Sequence, residues 1–158
     1  MKKIFIFIVI LSSAFSLNSF AQVNNNHDQL TQLLASYYSI KNALVAGNSS
    51  NAATAAATFV KAANGVDPKD IPGETIHTLV SGAVNISDYP DLIKQRIYFA
   101  AFSINMATVA KTVKLSEAPV YYDYCPMKKA YWLSSDKAIK NPYYGNSMLT
   151  CGKITETL

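Results

Sequence analysis

The chain has few of the residues that catalysis or nucleic-acid binding needs. Its 158 residues include two histidines, two cysteines and ten acidic residues. No Ser-His-Asp, Cys-His or paired-carboxylate arrangement stands out, and no glycine-rich phosphate loop is present. The 14 lysines and arginines form no cluster or stripe, so a nucleic-acid partner is not indicated. We therefore expect a protein that is not an enzyme.

Long hydrophobic runs are also lacking. The apolar run Ile4–Leu11 is shorter than the roughly 20 residues of a transmembrane helix, so we expect no stable membrane insertion. Lys2 and Lys3 precede this run, and Ser19-Phe20-Ala21 follows it, which is the layout of a cleavable signal peptide. We expect the signal to span 1–21 and a single exported domain to span 22–158. An uncleaved anchor is the alternative, which the short run disfavours.

Four stretches have helical periodicity. Apolar residues three or four apart predict helices over 28–46 and 52–63, another from just after Gly73, and a fourth over 90–113. Asp28 is the predicted N-cap of the first helix, and Asp88 that of the fourth. The predicted buried stripe of the fourth helix consists of Ile93, Ile97, Ala100, Ala101, Ile104 and Val109. Four amphipathic helices with short turns favour a mainly α protein, an antiparallel four-helix bundle.

The pattern changes in the C-terminal segment, 119–158. Residues 120–124 are rich in strand-forming side chains, and 130–133 and 151–155 are further candidates for short strands. We expect a small β-hairpin and loop appendix that lies on the bundle.

Sulfur side chains crowd the two ends of one stretch within this segment. Cys125 and Met127 are two residues apart, so an extended chain would point both to the same side. Met148 and Cys151 are three apart, so a helical turn would do the same. Together they would surround one ion with thiolate and thioether ligands, which select Cu(I). His77, in the third predicted helix, is a further candidate ligand.

A second hypothesis stays open for the same residues. An exported protein with two cysteines commonly joins them in a disulfide, and methionine is also a common core filler. The protein would then be a non-enzymatic, disulfide-stapled interaction module, and its C-terminal tyrosines would form an aromatic face for a protein partner.

Several motifs resemble a family of uncharacterised periplasmic domains. They are Tyr124-Cys125-Pro126-Met127, Tyr131-Trp132-Leu133-Ser134, Asn141-Pro142-Tyr143-Tyr144-Gly145, Met148-Leu149-Thr150-Cys151-Gly152, Arg96-x-x-Phe99-x-x-Phe102-Ser103 and 40–45. The resemblance covers nearly all of 22–158 and is most specific over the last 30 or so residues. Related domains accompany adaptor subunits of heavy-metal (copper or silver) efflux pumps. The resemblance therefore implies a helical bundle with a Cys/Met site for copper, and an efflux adaptor or another envelope protein as partner.

Overall fold

Four helices make up most of the protein. The computed structural model describes the backbone of residues 18–158 and the side chains of residues 27–158. Most of the predicted signal peptide therefore lies outside the described residues. The helices are α1 Asn18–Val45, α2 Ser49–Asn64, α3 Gly73–Asp88 and α4 Leu92–Thr112. No helix within 18–158 is long and apolar enough to cross a membrane.

The helix starts follow from capping side chains. Asn48 is the N-cap of α2, because its side chain accepts a 2.9 Å hydrogen bond from the Asn51 N–H. Two predicted caps are wrong. Asp28 lies inside α1, which begins earlier than expected, and α4 is capped by Asp91 rather than Asp88. The Asp91 carboxylate accepts from the Lys94 N–H at 2.8 Å, so α4 begins at Leu92.

The core forms where consecutive helices pack on one another. One line of apolar side chains at helical spacing along α1 is buried: Leu30, Leu33, Leu34, Tyr37, Ile40 and Leu44. The Tyr37 ring stacks on Phe99 of α4 with centroids 5.4 Å apart. Phe59 of α2 meets Phe102 edge-on at 4.9 Å. Large aromatic side chains from three helices therefore fill the centre.

The buried side of α4 differs from the prediction. Ile93, Ile97, Ala101 and Ile104 are exposed, whereas Val109 is buried as expected. The side that faces the core carries Gln95, Phe99, Phe102, Ser103, Met106, Ala107 and Val109. Because α4 is apolar nearly all round, the spacing of its apolar residues does not indicate which side is buried. The aromatic rings remove more apolar area from water than isoleucine does, and they take the inner positions.

A three-stranded antiparallel sheet follows the helices, where the sequence predicts a hairpin. Its strands are β1 Tyr121–Cys125, β2 Ala130–Ser134 and β3 Lys153–Thr157, in the order β2-β1-β3. The β2 strand packs against α4 and α1. The backbone N–H of Leu133 in β2 donates to the Tyr37 hydroxyl at 3.0 Å, so α1 covers this edge of the sheet.

The loop between β2 and β3 is anchored to the end of α1. The Arg96 guanidinium of α4 donates to the Leu44 carbonyl at 2.9 Å and so satisfies a carbonyl at the C-terminus of α1. Gly145 has φ +54°, and a Cβ there would lie 2.7 Å from the Val45 carbonyl oxygen. Only glycine allows this approach without strain.

Candidate functional site: a pair of thiols at the edge of the sheet

The two cysteines meet at one end of the sheet. Cys125 ends β1, and Cys151 lies just before β3, which is the neighbour of β1. Their Sγ atoms are 3.5 Å apart and not bonded to each other. Cys125 is fully buried, and Cys151 is partly exposed. The pair can therefore be reached from solvent on the Cys151 side.

The turn after β1 points backbone N–H groups at both sulfurs. The Lys128 N–H donates to the Cys125 Sγ at 3.4 Å. The pKa of Cys151 is raised, chiefly because its thiol hydrogen bonds to Cys125 and also by desolvation, while a backbone N–H of Met127 lowers it. Such N–H groups stabilise sulfur when it carries negative charge. The raised pKa favours the neutral thiol of Cys151, whereas the N–H groups of the turn would stabilise negative charge on sulfur.

Asn141 fixes the position of Cys151. The Asn141 side-chain amide donates to the Cys151 carbonyl at 2.7 Å, and its side-chain oxygen accepts from the Tyr143 N–H at 2.8 Å. The Tyr143 hydroxyl donates to the Tyr131 carbonyl of β2. At Gly152 a Cβ would lie 2.8 Å from the Trp132 ring. The loop is therefore fastened to the sheet, and the fold itself sets the spacing of the sulfurs.

The two methionines lie beside the cysteines with their side chains in contact with solvent. The Cys151 N–H donates to the Met148 carbonyl at 3.1 Å, so this pair lies in one turn, as predicted. Cys125 ends β1 and Met127 lies in the turn that follows, so the two residues are not part of one extended segment. The side chains of Met127 and Met148 are 64% and 36% exposed.

His77 lies elsewhere on the surface. It is exposed on α3 and lines a groove of about 320 Å³ between α3 and α4, together with Asn85, Tyr98 and Asn105. Over 18–158, no three His, Cys, Asp or Glu side chains come together in a group that could hold a metal ion. The structure thus brings the cysteines together but does not add His77 to them.

A buried polar cluster beside the thiols was missed by the sequence analysis. Asp123 is fully buried on β1 and neither carboxylate oxygen has a hydrogen-bond partner. Burial raises its pKa to about 7, although the charge of Lys41 and the nearby indole N–H of Trp132 lower it. Lys41 of α1 is 1% exposed, and its Nζ lies 3.5 Å from the Ser134 hydroxyl.

One sequence signal for this cluster was available. Lys41 falls between Tyr37 and Leu44, on the apolar side of α1, where a charge is unexpected. An alternating pattern along β1 also places Asp123 and Cys125 on the same side of the strand, and both are buried.

The family comparison concerns the helices rather than the thiols. A family model described as a protein of unknown function (DUF3347) matches residues 33–118, more than half of the chain. The match ends before β1, so Cys125 and Cys151 lie beyond it, whereas the resemblance was expected to be most specific there. Neither a curated protein nor a solved structure matches the chain.

Proposed function

This chain belongs to that family of proteins of unknown function, and we propose that it is a periplasmic protein that binds Cu(I) through Cys125 and Cys151. The 3.5 Å contact between the two sulfurs carries the proposal. For comparison, two thiolates that bind a tetrahedral zinc ion at about 2.3 Å lie about 3.8 Å apart. A small outward movement of the exposed Cys151 would therefore admit an ion.

The surroundings of the pair favour a charged, metal-bound form. The backbone N–H groups of Lys128 and Met127 face the sulfurs, and a thiolate accepts such hydrogen bonds more strongly than a disulfide sulfur. Metal ligands must be thiolates, so binding would release thiol protons and the affinity should rise with pH.

The chemistry of the ligands selects the ion. Thiolates and thioethers prefer Cu(I), and neutral thioethers bind hard ions such as Mg²⁺ poorly. Met127 and Met148 supply the thioethers. Because both side chains are exposed to solvent, they can turn towards the two cysteines. We assign the affinity to the cysteines, and selectivity to whichever methionine closes over the ion.

The proposed role is metal handling in the envelope, without catalysis. The resemblance to domains that accompany heavy-metal efflux adaptors supports an accessory role beside such a pump. In this proposal the four helices form an antiparallel bundle that serves as a rigid base for the thiol pair. A strain that lacks the protein should then retain more copper in its periplasmic fraction, measured by elemental analysis.

A competition titration tests the site directly. Reduced protein should remove one equivalent of Cu(I) from a chromophoric chelator. Replacing both cysteines by serine should abolish this, because a serine hydroxyl does not form the soft thiolate ligand. Met127→Leu and Met148→Leu should weaken binding without unfolding, since leucine preserves the volume.

Met106→Leu is the matched control for the methionine variants. Met106 is fully buried in α4, so the same substitution there should leave the Cu(I) affinity unchanged. Equal, negligible copper uptake by the wild type and by the double serine variant would overturn the proposal.

The disulfide-stapled interaction module remains the second candidate. The sulfurs would have to approach from 3.5 Å to about 2.05 Å. The aromatic face would consist of Tyr122, Tyr124 and Tyr131, whose rings pack in a row on the sheet with centroids 4.8 and 4.5 Å apart. Protein from the periplasm would then show no free thiol when denatured, and the double serine variant would chiefly lose thermal stability.

A further inference from the structure

Three lysines surround the end of the sheet that carries the thiols. Lys128 and Lys129 lie in the turn between β1 and β2, and Lys153 begins β3 directly opposite Tyr124. Cys125 lies between the turn and β3, because it ends the middle strand. All three lysines are exposed. We call them the rim lysines.

Positive charge is concentrated in this part of the chain. Residues 124–154 contain five lysines and one aspartate, a net charge of +4, whereas the rest of 22–158 contains seven basic and nine acidic residues. That aspartate, Asp136, already forms an ion pair with Lys140. Among the described side chains, no ion pair includes a rim lysine. The rim therefore presents positive charge that the protein itself does not neutralise.

Protection of the sheet edge does not account for all of this charge. A lysine on an edge strand such as β3 discourages pairing with another chain, which would explain Lys153 alone. Lys128 and Lys129 lie in a turn, where no edge needs protection.

The charge of the proposed copper complex matches the rim. One Cu(I) ion with two thiolates carries one net negative charge, and neighbouring ammonium groups favour the charged form of a thiol. The same positive charge attracts an anionic molecule that brings the ion, since a charged cleft raises the local concentration of an oppositely charged ligand.

We propose that the rim lysines steer to Cys151 an anionic carrier, a Cu(I) complex of a small thiol that bears carboxylates. This inference rests on the proposed copper site and adds the class of complex that supplies the ion. A small carrier fits better than a protein surface, because Cys125 is fully buried and Cys151 is only partly exposed.

The ion passes to the protein by ligand exchange. The Cys151 thiol loses its proton to solvent and its sulfur binds Cu(I) as one bond from the ion to the carrier breaks. Cys125 repeats this step, and the carrier thiolate leaves and takes up a proton. Copper stays Cu(I) throughout, so the exchange needs no oxidant or reductant.

Two chelator complexes of opposite charge test the steering. Stopped-flow absorbance measures Cu(I) transfer to the reduced full chain from bathocuproine disulfonate, an anionic complex, and from neocuproine, a cationic complex with the same kind of nitrogen ligands. The variant with Lys128→Gln, Lys129→Gln and Lys153→Gln should accept Cu(I) from the anionic complex about tenfold more slowly at low salt. Transfer from the cationic complex should not slow, and added salt should reduce the difference between the variant and the wild type.

The matched control changes the same net charge elsewhere. Lys61, Lys69 and Lys94 are exposed lysines away from the sheet, and replacing all three by glutamine should leave both transfer rates at the wild-type value. A Cu(I) complex of glutathione, a small thiol with carboxylates, should behave like the anionic chelator complex. Circular dichroism of both variants should match the wild type, because all six side chains are exposed.

The outcomes separate this inference from the copper site itself. Transfer from the anionic complex at equal rates to the wild type and the rim variant would overturn the inference and leave the copper site standing. Equal slowing from both complexes would do the same, since steering depends on the sign of the charge. A reduced wild type that takes copper from neither complex would overturn both.

Discussion

Asn141 hydrogen bonds to the carbonyl of Cys151 at 2.7 Å, although its own side chain lies wholly inside the protein. The same side chain holds the Tyr143 backbone. One buried amide therefore joins the thiol site to the loop that contacts α1. Asn141 therefore helps to fix the position of Cys151.

Asn141→Ala should lower the free energy of unfolding by about 1–3 kcal/mol, because it leaves buried backbone groups without partners. It should also speed the reaction of Cys151 with a thiol reagent, since the loop is released. Denaturant unfolding and the kinetics of thiol labelling measure the two effects. Asn85→Ala, at an exposed position of α3, is the control. Labelling at the wild-type rate would contradict this role of Asn141.

Tyr37→Phe should destabilise the protein, whereas Tyr38→Phe should not. The Tyr37 hydroxyl is 2.7 Å from the Ser103 hydroxyl and accepts a hydrogen bond from the Leu133 N–H. Removing it leaves these two buried groups without a partner, which should lower the free energy of unfolding by about 1–3 kcal/mol. The buried Tyr38 hydroxyl has no partner, and its removal leaves none stranded. Thermal unfolding of both variants makes the comparison. An equal loss in the two would refute the proposed link from α1 to β2.

The stability of the metal-free protein should carry a pH dependence from Asp123. The folded pKa is raised to about 7, above the ordinary value of about 3.9. The folded protein therefore binds this proton more tightly than the unfolded chain does. The protonated Asp123 therefore contributes its full stabilisation below about pH 4. The free energy of unfolding falls by up to about 4 kcal/mol as the pH rises to about 7.

Asp123→Asn should flatten this slope in unfolding experiments between pH 4 and 7. Lys41, Trp132 and Tyr38 are the groups that interact with this carboxylate, and Lys41→Met should steepen the slope because it removes the charge that lowers the pKa. Asp28→Asn, at an exposed position of α1, is the control. Identical slopes for the wild type and Asp123→Asn would count against a raised pKa.

Export should produce a mature protein that begins at Gln22. The basic pair, the short apolar run and Ser19-Phe20-Ala21 motivate this expectation. Intact mass spectrometry of protein from the soluble envelope fraction measures the N-terminus, and Ala21→Arg should block cleavage while leaving the control variant Ala35→Ser processed. A chain that keeps Met1 and stays in the cytoplasm would remove the basis for the periplasmic site.

Much of the helical architecture could be predicted from the sequence. Leu33, Tyr37 and Leu44 lie at helical spacing on a chain that is otherwise polar there, so local periodicity was enough to identify the buried side of α1. The turn at Asn48 and the start of α3 at Gly73 were likewise encoded by neighbouring residues. The stretches that became strands were identified to within two or three residues.

The tertiary structure determines which side of α4 is buried, because both sides are apolar and the choice depends on rings from α1 and α2. It also brought Cys125 and Cys151 within 3.5 Å across 26 residues of chain, and it left His77 on a different surface. Lys41 and Asp123 lie far apart in the sequence, so their shared burial could not be seen in either local pattern. The helices could be predicted because helical periodicity depends on residues that are close together in the chain. Packing between distant segments determined the site and the buried side of α4.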